Sequence, residues 1–272
     1  MFVRDLLAGQ AAVVTGAGTG IGKAIALALA RHGADVVCAA RQAGRLEETA
    51  AEIRSMGRRA VVRTTDVAEP EQAERMVAAA VEAFGRIDLL VNNAAANFIR
   101  PSERLTPLRW RKVIDIVLNG TFYGCLAAGR RMLAQGSGTI VNIVAAYAWT
   151  GAPGLAPSAS AKAGVVALTR TLGAEWAGRG VRVNAIAPGF IDTPGARERL
   201  WPTAEMSRRI LDAVPAGAFG SEADVANLVL YLASPMGRYV CGEVVVADGG
   251  HWLGRGARDV AGPALRRARP AP

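Results

Sequence analysis

The stretch Thr15-Gly16-Ala17-Gly18-Thr19-Gly20-Ile21-Gly22 decides the fold of this chain. It follows a short, largely apolar run, Gln10 to Val14, and it leads into Gly22 to His32, where apolar residues recur at helical spacing before Gly33. A strand, a glycine-rich turn and an amphipathic helix in this order predict the first unit of a parallel β-sheet.

The same alternation continues along the chain. Further strands are predicted at 34–40, 59–67, 87–95, 138–146, 181–189 and 242–250. Helices are predicted between them at 42–56, 69–84, about 105–135, about 160–178 and 221–234. Continuous apolar strands alternating with amphipathic helices are typical of a parallel sheet that is covered on both faces. We therefore expect an α/β fold, a single doubly wound Rossmann domain with a seven-stranded parallel sheet.

Two segments depart from this rhythm. Residues 190–220 are rich in Pro and Gly and predict a mobile flap over a site, within a domain that spans residues 1–253. The basic segment 254–272 carries five Arg and one Asp, which is +4 of the net charge of +9, and we expect it to be disordered. The remaining charge is spread along the domain. That distribution suits anionic small molecules and does not favour nucleic acid.

Composition excludes other classes of protein. The chain has no uninterrupted apolar stretch of about 18 residues, so no membrane span is expected. The first ten residues contain no segment of signal-peptide length, which favours a cytoplasmic protein. Cys38, Cys125 and Cys241 show no CxxC spacing, and we expect buried thiols and no metal site.

The glycine-rich turn predicts a phosphate-binding site. Backbone N–H groups and a helix N-terminus can hold a pyrophosphate there, although a purely structural turn is the alternative. The second strand ends in Ala39-Ala40-Arg41, where an NAD-binding domain usually has an acidic residue. Arg41 favours NADP(H), because a guanidinium suits a 2′-phosphate, with a solvated arginine as the alternative. Asp66 is expected beside the adenine.

Motifs along residues 8–250 resemble the short-chain dehydrogenase/reductase family. They are the glycine turn 15–22, Asn92-Asn93-Ala94, Asn119, Lys162 and Pro188-Gly189. The resemblance implies that Lys162 binds the nicotinamide ribose and lowers the pKa of a tyrosine acid, and that the enzyme is a homo-oligomer, most simply a tetramer. The expected cofactor-binding residues are Gly16, Gly18, Thr19, Gly20, Ile21, Gly22, Arg41, Asp66, Val67, Asn93, Ala94, Lys162, Pro188, Gly189, Ile191 and Thr193.

Two catalytic positions depart from that family. Its Tyr-x-x-x-Lys pattern would require tyrosine at 158, where this chain has Ser158, and its usual serine falls on Ala145. A serine hydroxyl is shorter and far less acidic than a phenol, so Ser158 cannot replace the tyrosine acid. A standard carbonyl reductase site is therefore not expected.

A subgroup of the family resolves the departure. Tyr147-Ala-Trp-Thr-Gly and Pro157 to Gly164 resemble the mitochondrial-type 2,4-dienoyl-CoA reductases, as do 93–98, 115–121 and 174–176, although Ala96 stands where that subgroup has Gly. The resemblance implies NADPH-dependent reduction of 2,4-dienoyl-CoA to 3-enoyl-CoA. The catalytic set that it implies is Tyr147, Asn97, Lys162, Asn119 and Ser158.

Each of these residues has a simpler interpretation. Tyr147 could be a surface aromatic at a strand end, Asn97 a turn cap and Ser158 a helix N-cap. At the level of function, the alternatives are a related enzyme for another conjugated or carbonyl substrate and a cofactor-binding protein without catalysis. A nucleic-acid binder is suggested by charge alone.

Overall fold

The computed structural model describes residues 2–253, and the predicted basic tail 254–272 lies outside the described residues. The strands are β1 Ala11–Thr15, β2 Asp35–Ala40, β3 Ala60–Thr64, β4 Leu89–Asn92, β5 Gly138–Ile143, β6 Val181–Pro188 and β7 Val244–Ala247. The helices are α1 Gly20–Arg31, α2 Ala43–Ser55, α3 Pro70–Phe84, α4 Pro107–Ile114, α5 Gly120–Gln135, α6 Tyr147–Thr150, α7 Ala156–Trp176, α8 Pro194–Leu200, α9 Ala204–Ala213 and α10 Glu222–Ala233.

The sheet has the order β3-β2-β1-β4-β5-β6-β7, and all of its strand pairs are parallel. The predicted doubly wound fold with seven parallel strands is confirmed. Strand order reverses between β1 and β4, because β1 pairs with both β2 and β4. In sheets of this kind the crevice at the carboxyl ends of the strands beside such a reversal binds ligands.

Helices cover both faces of the sheet, which explains why the strands are apolar along their whole length. On one face Ile25 and Leu29 of α1 pack with Val229 of α10. On the other face Met76 of α3 and Met132 of α5 pack against the strands. Because both faces are sealed, the strand ends are where functional side chains can reach solvent.

The structure differs from the sequence prediction around the long helix. The predicted helix 105–135 is divided into α4 and α5 by a π-helical turn, Asp115–Asn119. The Thr106 hydroxyl accepts a hydrogen bond from Arg109 N and begins α4. Apolar periodicity continues through a π turn, so the pattern alone could not show the division.

The flap also contains more regular structure than its composition suggests. Segment 190–220 holds α8 and α9, whose first turns are capped by the Thr193 and Thr203 hydroxyls. None of the described helices is long and apolar enough to cross a bilayer. Residues 2–253 contain no group of three or more His, Cys, Asp or Glu side chains placed to hold a metal ion.

Candidate active site

A cleft of about 790 Å³ lies along the carboxyl ends of the strands. It brings together the glycine turn after β1, the loops after β2, β3 and β4, and the start of α6 and α7. The predicted residues that line it are Gly16, Gly18, Thr19, Gly20, Ile21, Gly22, Arg41, Asp66, Val67, Asn93, Ala94, Asn97, Tyr147, Ser158, Lys162 and Thr193. One cleft thus joins the expected phosphate-binding and catalytic residues.

The glycine turn is packed too closely to admit side chains. A Cβ at Gly22 would lie 2.2 Å from Gly16 O and 2.5 Å from Asn93 Nδ2. Asn93 Nδ2 donates to Thr15 O at 2.9 Å, and the Thr15 hydroxyl accepts the Asn93 and Ala94 N–H groups at 2.9 Å each. Thr15 therefore fixes the turn against the loop after β4, a role that the sequence analysis did not assign.

The turn fits the diphosphate of a dinucleotide. A Cβ built on Gly20 would make only ordinary van der Waals contacts, with Glu222 and Thr193 atoms at 3.9 Å, so no protein atom crowds the backbone there. Thr19 precedes α1, and its side chain makes no capping hydrogen bond to the helix. The first N–H groups of α1 are thus left for a ligand, as anion binding at a helix N-terminus requires.

Two exposed arginines line the cleft beside β2 and α2. Arg41 follows β2, and Arg45 lies one turn later in α2, where its Cβ would be 3.1 Å from a Cβ at Gly18. Within residues 2–253, neither has an ion-pair partner. Only Arg41 was predicted from the sequence, yet Arg45 follows it at helical spacing. Both guanidiniums are therefore available to a phosphate.

Tyr147 and Ser158 form a pair in the cleft. Tyr147 is the first residue of α6, and its hydroxyl lies 3.0 Å from Ser158 Oγ in a hydrogen bond. Tyr147 is half-buried, so it is not a surface aromatic. Ser158 is buried as the third residue of α7, whose N-cap is Leu155, so the N-cap interpretation of Ser158 is wrong.

Electrostatics at Tyr147 differ from the family expectation. Burial raises the pKa of its phenol, and the hydrogen bond from Ser158 lowers it in part. Lys162 is not among the causes of the shift, so the expected lowering of the pKa by lysine is not seen. A phenol with a raised pKa keeps its proton and acts as a hydrogen-bond donor.

Lys162 lies one turn after Ser158 and lines the same cleft. It is buried, and its Nζ donates to Ile143 O at 2.5 Å. Burial lowers the pKa of the amine from 10.5 to about 8, because water no longer stabilises the ammonium form. The hydrogen bond to Ile143 O, at the end of β5, uses one proton of the ammonium group, so the other two can bind a ligand.

This pKa predicts a pH dependence for cofactor binding. Above pH 8 the unliganded protein loses the Lys162 charge, so the dissociation constant for NADPH is expected to rise by up to about tenfold per pH unit. Fluorescence titration of NADPH between pH 6 and 10 measures this. The Lys162→Met variant should bind NADPH weakly, and its dissociation constant should not rise above pH 8. The same rise in the variant would assign the titration to another group.

Asn97 contributes an amide to the cleft. Its Oδ1 accepts the Phe98 N–H at 2.9 Å, which agrees with a turn-capping role. The same bond leaves Nδ2 as the group that can donate to a ligand, and Asn97 lines the cleft together with Tyr147. The cap therefore orients the donor, and the two interpretations of Asn97 are compatible.

Four predicted residues lie outside the cleft lining. Asn119 ends the π turn, and its Nδ2 donates to Asp115 Oδ1 at 2.9 Å. Pro188 ends β6, and a Cβ at Gly189 would lie 2.5 Å from Asp248 Cβ. Ile191 lines a separate cavity of about 510 Å³ under the flap. Only Thr193 of that expected segment lines the cleft.

Comparison with known proteins finds similar sequences and structures over most of the chain. Residues 16–251 match the family model described as enoyl-(acyl carrier protein) reductase, which includes members of the short-chain dehydrogenase type. A solved structure of a proposed 2-deoxy-d-gluconate 3-dehydrogenase from Agrobacterium tumefaciens, with bound NADP, is 38% identical with a TM-score of 0.85. The alignment covers 94% of this chain and 100% of that chain.

Two relatives carry the name of one activity. The Bacillus subtilis protein named "Probable 2,4-dienoyl-CoA reductase [(2E)-enoyl-CoA-producing]" is 43% identical over 90% of this chain and 97% of its own length. The Pongo abelii protein named "Peroxisomal 2,4-dienoyl-CoA reductase [(3E)-enoyl-CoA-producing]" is 40% identical over 93% of this chain and 87% of its own length. The chain is similar to both over at least nine tenths of its length.

Proposed function

Because the chain belongs to the short-chain dehydrogenase/reductase family and is an oxidoreductase, we propose that it reduces 2,4-dienoyl-CoA to 3-enoyl-CoA with NADPH. One observation carries the proposal. The phenol missing at position 158 is supplied by Tyr147, hydrogen-bonded to Ser158 in the cleft that Lys162 also lines. The proposed acid, Tyr147, thus lies in α6, whereas the family's usual tyrosine position, 158, lies in α7.

The two donors of the cleft act on the thioester oxygen. Tyr147 Oη and Asn97 Nδ2 donate hydrogen bonds to that oxygen, and they draw electron density along the conjugated chain. When bound, NADPH would supply a hydride to C5, the far end of the conjugated diene. The Asn97 amide is oriented by its hydrogen bond from Phe98 N–H, and the Tyr147 phenol by its hydrogen bond with Ser158. Both donors are therefore in place before charge develops on the thioester oxygen, and they need to move little during the reaction.

Proton delivery completes the reduction. The dienolate gains a proton at C2, from Tyr147 or from a water that Tyr147 orders, and the product is a 3-enoyl thioester. Lys162 holds the nicotinamide ribose, and its bond to Ile143 O keeps the amine in register with Tyr147. Asn119, held by Asp115, supports a proton path behind the site.

NADP(H) is the proposed cofactor because Arg41 and Arg45, which form no ion pair among residues 2–253, offer two guanidiniums to a 2′-phosphate. The variant Arg41→Gln/Arg45→Gln is expected to lower kcat/KM for NADPH by roughly 10- to 100-fold, since bonds to charged groups contribute about 1.5–3 kcal/mol. Its kcat/KM for NADH should barely change. The control Arg31→Gln/Arg179→Gln removes two exposed charges that precede β2 and β6, at the opposite edge of the sheet.

Assembly is proposed as a homotetramer in the cytoplasm. Family resemblance supports oligomerisation through the α5 and α7 region, and Phe122 of α5 is an exposed aromatic there, with 42% of its surface accessible. Sedimentation equilibrium measures the state. A monomer at micromolar concentration would reject this part of the proposal.

A substrate panel tests the function. The loss of NADPH absorbance is followed with a 2,4-dienoyl-CoA, with a 3-ketoacyl-CoA and with a 2-enoyl-CoA lacking the second double bond. We expect turnover with the dienoyl thioester at least about 100-fold above the others, because only the diene carries charge to C5. Turnover of the ketoacyl thioester alone would reject the proposal.

The name of the Bacillus subtilis relative favours a second candidate. A (2E)-enoyl product would follow from the same hydride transfer to C5 with protonation at C4. The two candidates share every residue of the site and differ only in the carbon that the proton reaches. The position of the double bond in the product distinguishes them.

A further inference from the structure

The loop after β4 and the helix that follows it carry excess positive charge directly after Asn97, which lines the cleft. Between residues 98 and 112 the sequence has five basic residues and one acidic residue, Glu103. The basic ones are Arg100, Arg104, Arg109, Arg111 and Lys112, which we call the β4–α4 basic patch. All are at least partly exposed.

No carboxylate within residues 2–253 forms an ion pair with the patch. The flap on the other side of the cleft differs in this respect. Arg197 is paired with Asp192, and Arg209 with Glu205 at 2.6 Å. Like charges repel one another, so five cations within fifteen residues that form no ion pair among residues 2–253 make a surface that an anion would stabilise.

The patch is tied to the catalytic loop. The Arg109 guanidinium stacks over the Phe98 ring at 5.7 Å, and Phe98 N–H in turn donates to Asn97 Oδ1. Arg100 N donates to Gly154 O at 2.9 Å, between α6 and α7, while Arg100 Nε donates to Arg104 O at 2.8 Å. The cations therefore stand beside Asn97 and on the Tyr147 side of the cleft.

We propose that the β4–α4 basic patch binds the phosphates of the coenzyme A carrier, with Arg104 and Arg109 as the principal ligands. The inference rests on the proposed function, in which Asn97 holds the thioester oxygen. From that point a flexible pantetheine arm leads out of the cleft toward its nucleotide phosphates. Arg41 and Arg45 follow β2, which β1 separates from β4 in the sheet, and they are assigned to the cofactor. Each of the two nucleotides then has its own group of cations.

The kinetic test compares two thioesters of the same acyl group. Arg104→Gln/Arg109→Gln is expected to raise KM for the dienoyl-CoA about tenfold, with kcat nearly unchanged, because the phosphates do not take part in the chemistry. KM for the dienoyl pantetheine thioester, which lacks the nucleotide, should move less than about twofold. The control Arg31→Gln/Arg179→Gln should leave both values unchanged.

A binding test keeps the inference independent of turnover. Free coenzyme A and free pantetheine are titrated calorimetrically into the wild-type protein and the double variant, each saturated with NADP⁺. We expect coenzyme A to bind about tenfold more weakly to the variant and to weaken further at high salt. If no thioester is reduced but coenzyme A still binds more weakly to the variant, the proposed reaction is rejected and the proposed coenzyme A site is supported.

Three results would overturn the patch as a coenzyme A site. One is an equal rise in KM for the two thioesters, which would indicate a distorted loop. Another is unchanged coenzyme A affinity in the double variant. The third is an effect confined to a dienoyl thioester of an acidic carrier protein, which would assign the same cations to a protein partner.

Discussion

Replacing Tyr147 by phenylalanine is expected to lower kcat for dienoyl-CoA reduction by roughly 10²- to 10⁴-fold, the range of a lost acid catalyst. The phenol is the donor whose proton is retained, since burial raises its pKa. Phenylalanine keeps the aromatic ring at the first position of α6 and removes only the hydroxyl group. The dissociation constant for NADPH should therefore stay within about twofold of the wild-type value.

Steady-state kinetics and NADPH fluorescence measure the two quantities on the same preparations. Tyr239→Phe is the matched control, because that tyrosine is 95% exposed and far from the described cleft lining. A Tyr147→Phe protein that reduced dienoyl-CoA at the wild-type rate would place the acid elsewhere. A protein that lost NADPH binding as well would show that Tyr147 acts through the fold.

Replacing Lys162 by methionine is expected to weaken catalysis strongly while making the protein more stable. The amine is the buried cation of the cleft and the proposed ribose ligand, so kcat/KM should fall by roughly 10³-fold, combining lost binding with lost register. Methionine has a similar volume and carries no charge. The variant should thus lose activity while its free energy of unfolding rises.

The sign of the stability change follows from the pKa. Folding lowers the pKa of Lys162 from 10.5 to about 8, so the unfolded chain binds more protons between those values and the charged amine opposes folding at pH 7. The shift corresponds to roughly 3 kcal/mol, of which the lost bond to Ile143 O offsets roughly 1–2 kcal/mol. We expect the free energy of unfolding to rise by about 1 kcal/mol.

Urea unfolding at pH 7 and at pH 10 tests this account of Lys162. The wild-type protein should gain stability relative to the variant as the pH rises through 8, because the buried charge is then lost. A variant that is less stable than wild type at pH 7 would mean that the ammonium is compensated in the folded protein. In that case burial would not be the dominant cause of its pKa.

The sequence predicted the fold because each strand is apolar along its whole length. Val13 and Leu90 are buried on one face of the sheet and Val14 and Val91 on the other, so continuous hydrophobicity marks the strands. The π turn ending at Asn119 and the short helix that begins at Tyr147 were not predicted. Their conformations depend on tertiary contacts with α7, which no local pattern contains.

The candidate site was predictable where a residue type is chemically required. A glycine at 22 is imposed by the close approach to Gly16 O, and a lysine buried among small residues of α7 has little structural reason to be there. Thr15 and Arg45 were missed, since a strand-end threonine and an exposed helix arginine look ordinary. Their roles depend on partners that are distant in sequence or absent from the chain.

The most direct measurement is the structure of the product formed from a 2,4-dienoyl-CoA and NADPH in deuterated water. With Tyr147 and Asn97 on the thioester oxygen, we expect one equivalent of NADP⁺, a 3-enoyl thioester, solvent deuterium at C2 and the cofactor hydrogen at C5. NMR of the isolated thioester locates both. A saturated C4–C5 bond with the 2,3 double bond retained and deuterium at C4 would contradict this account of proton delivery, and absence of NADPH oxidation would contradict the proposed function itself.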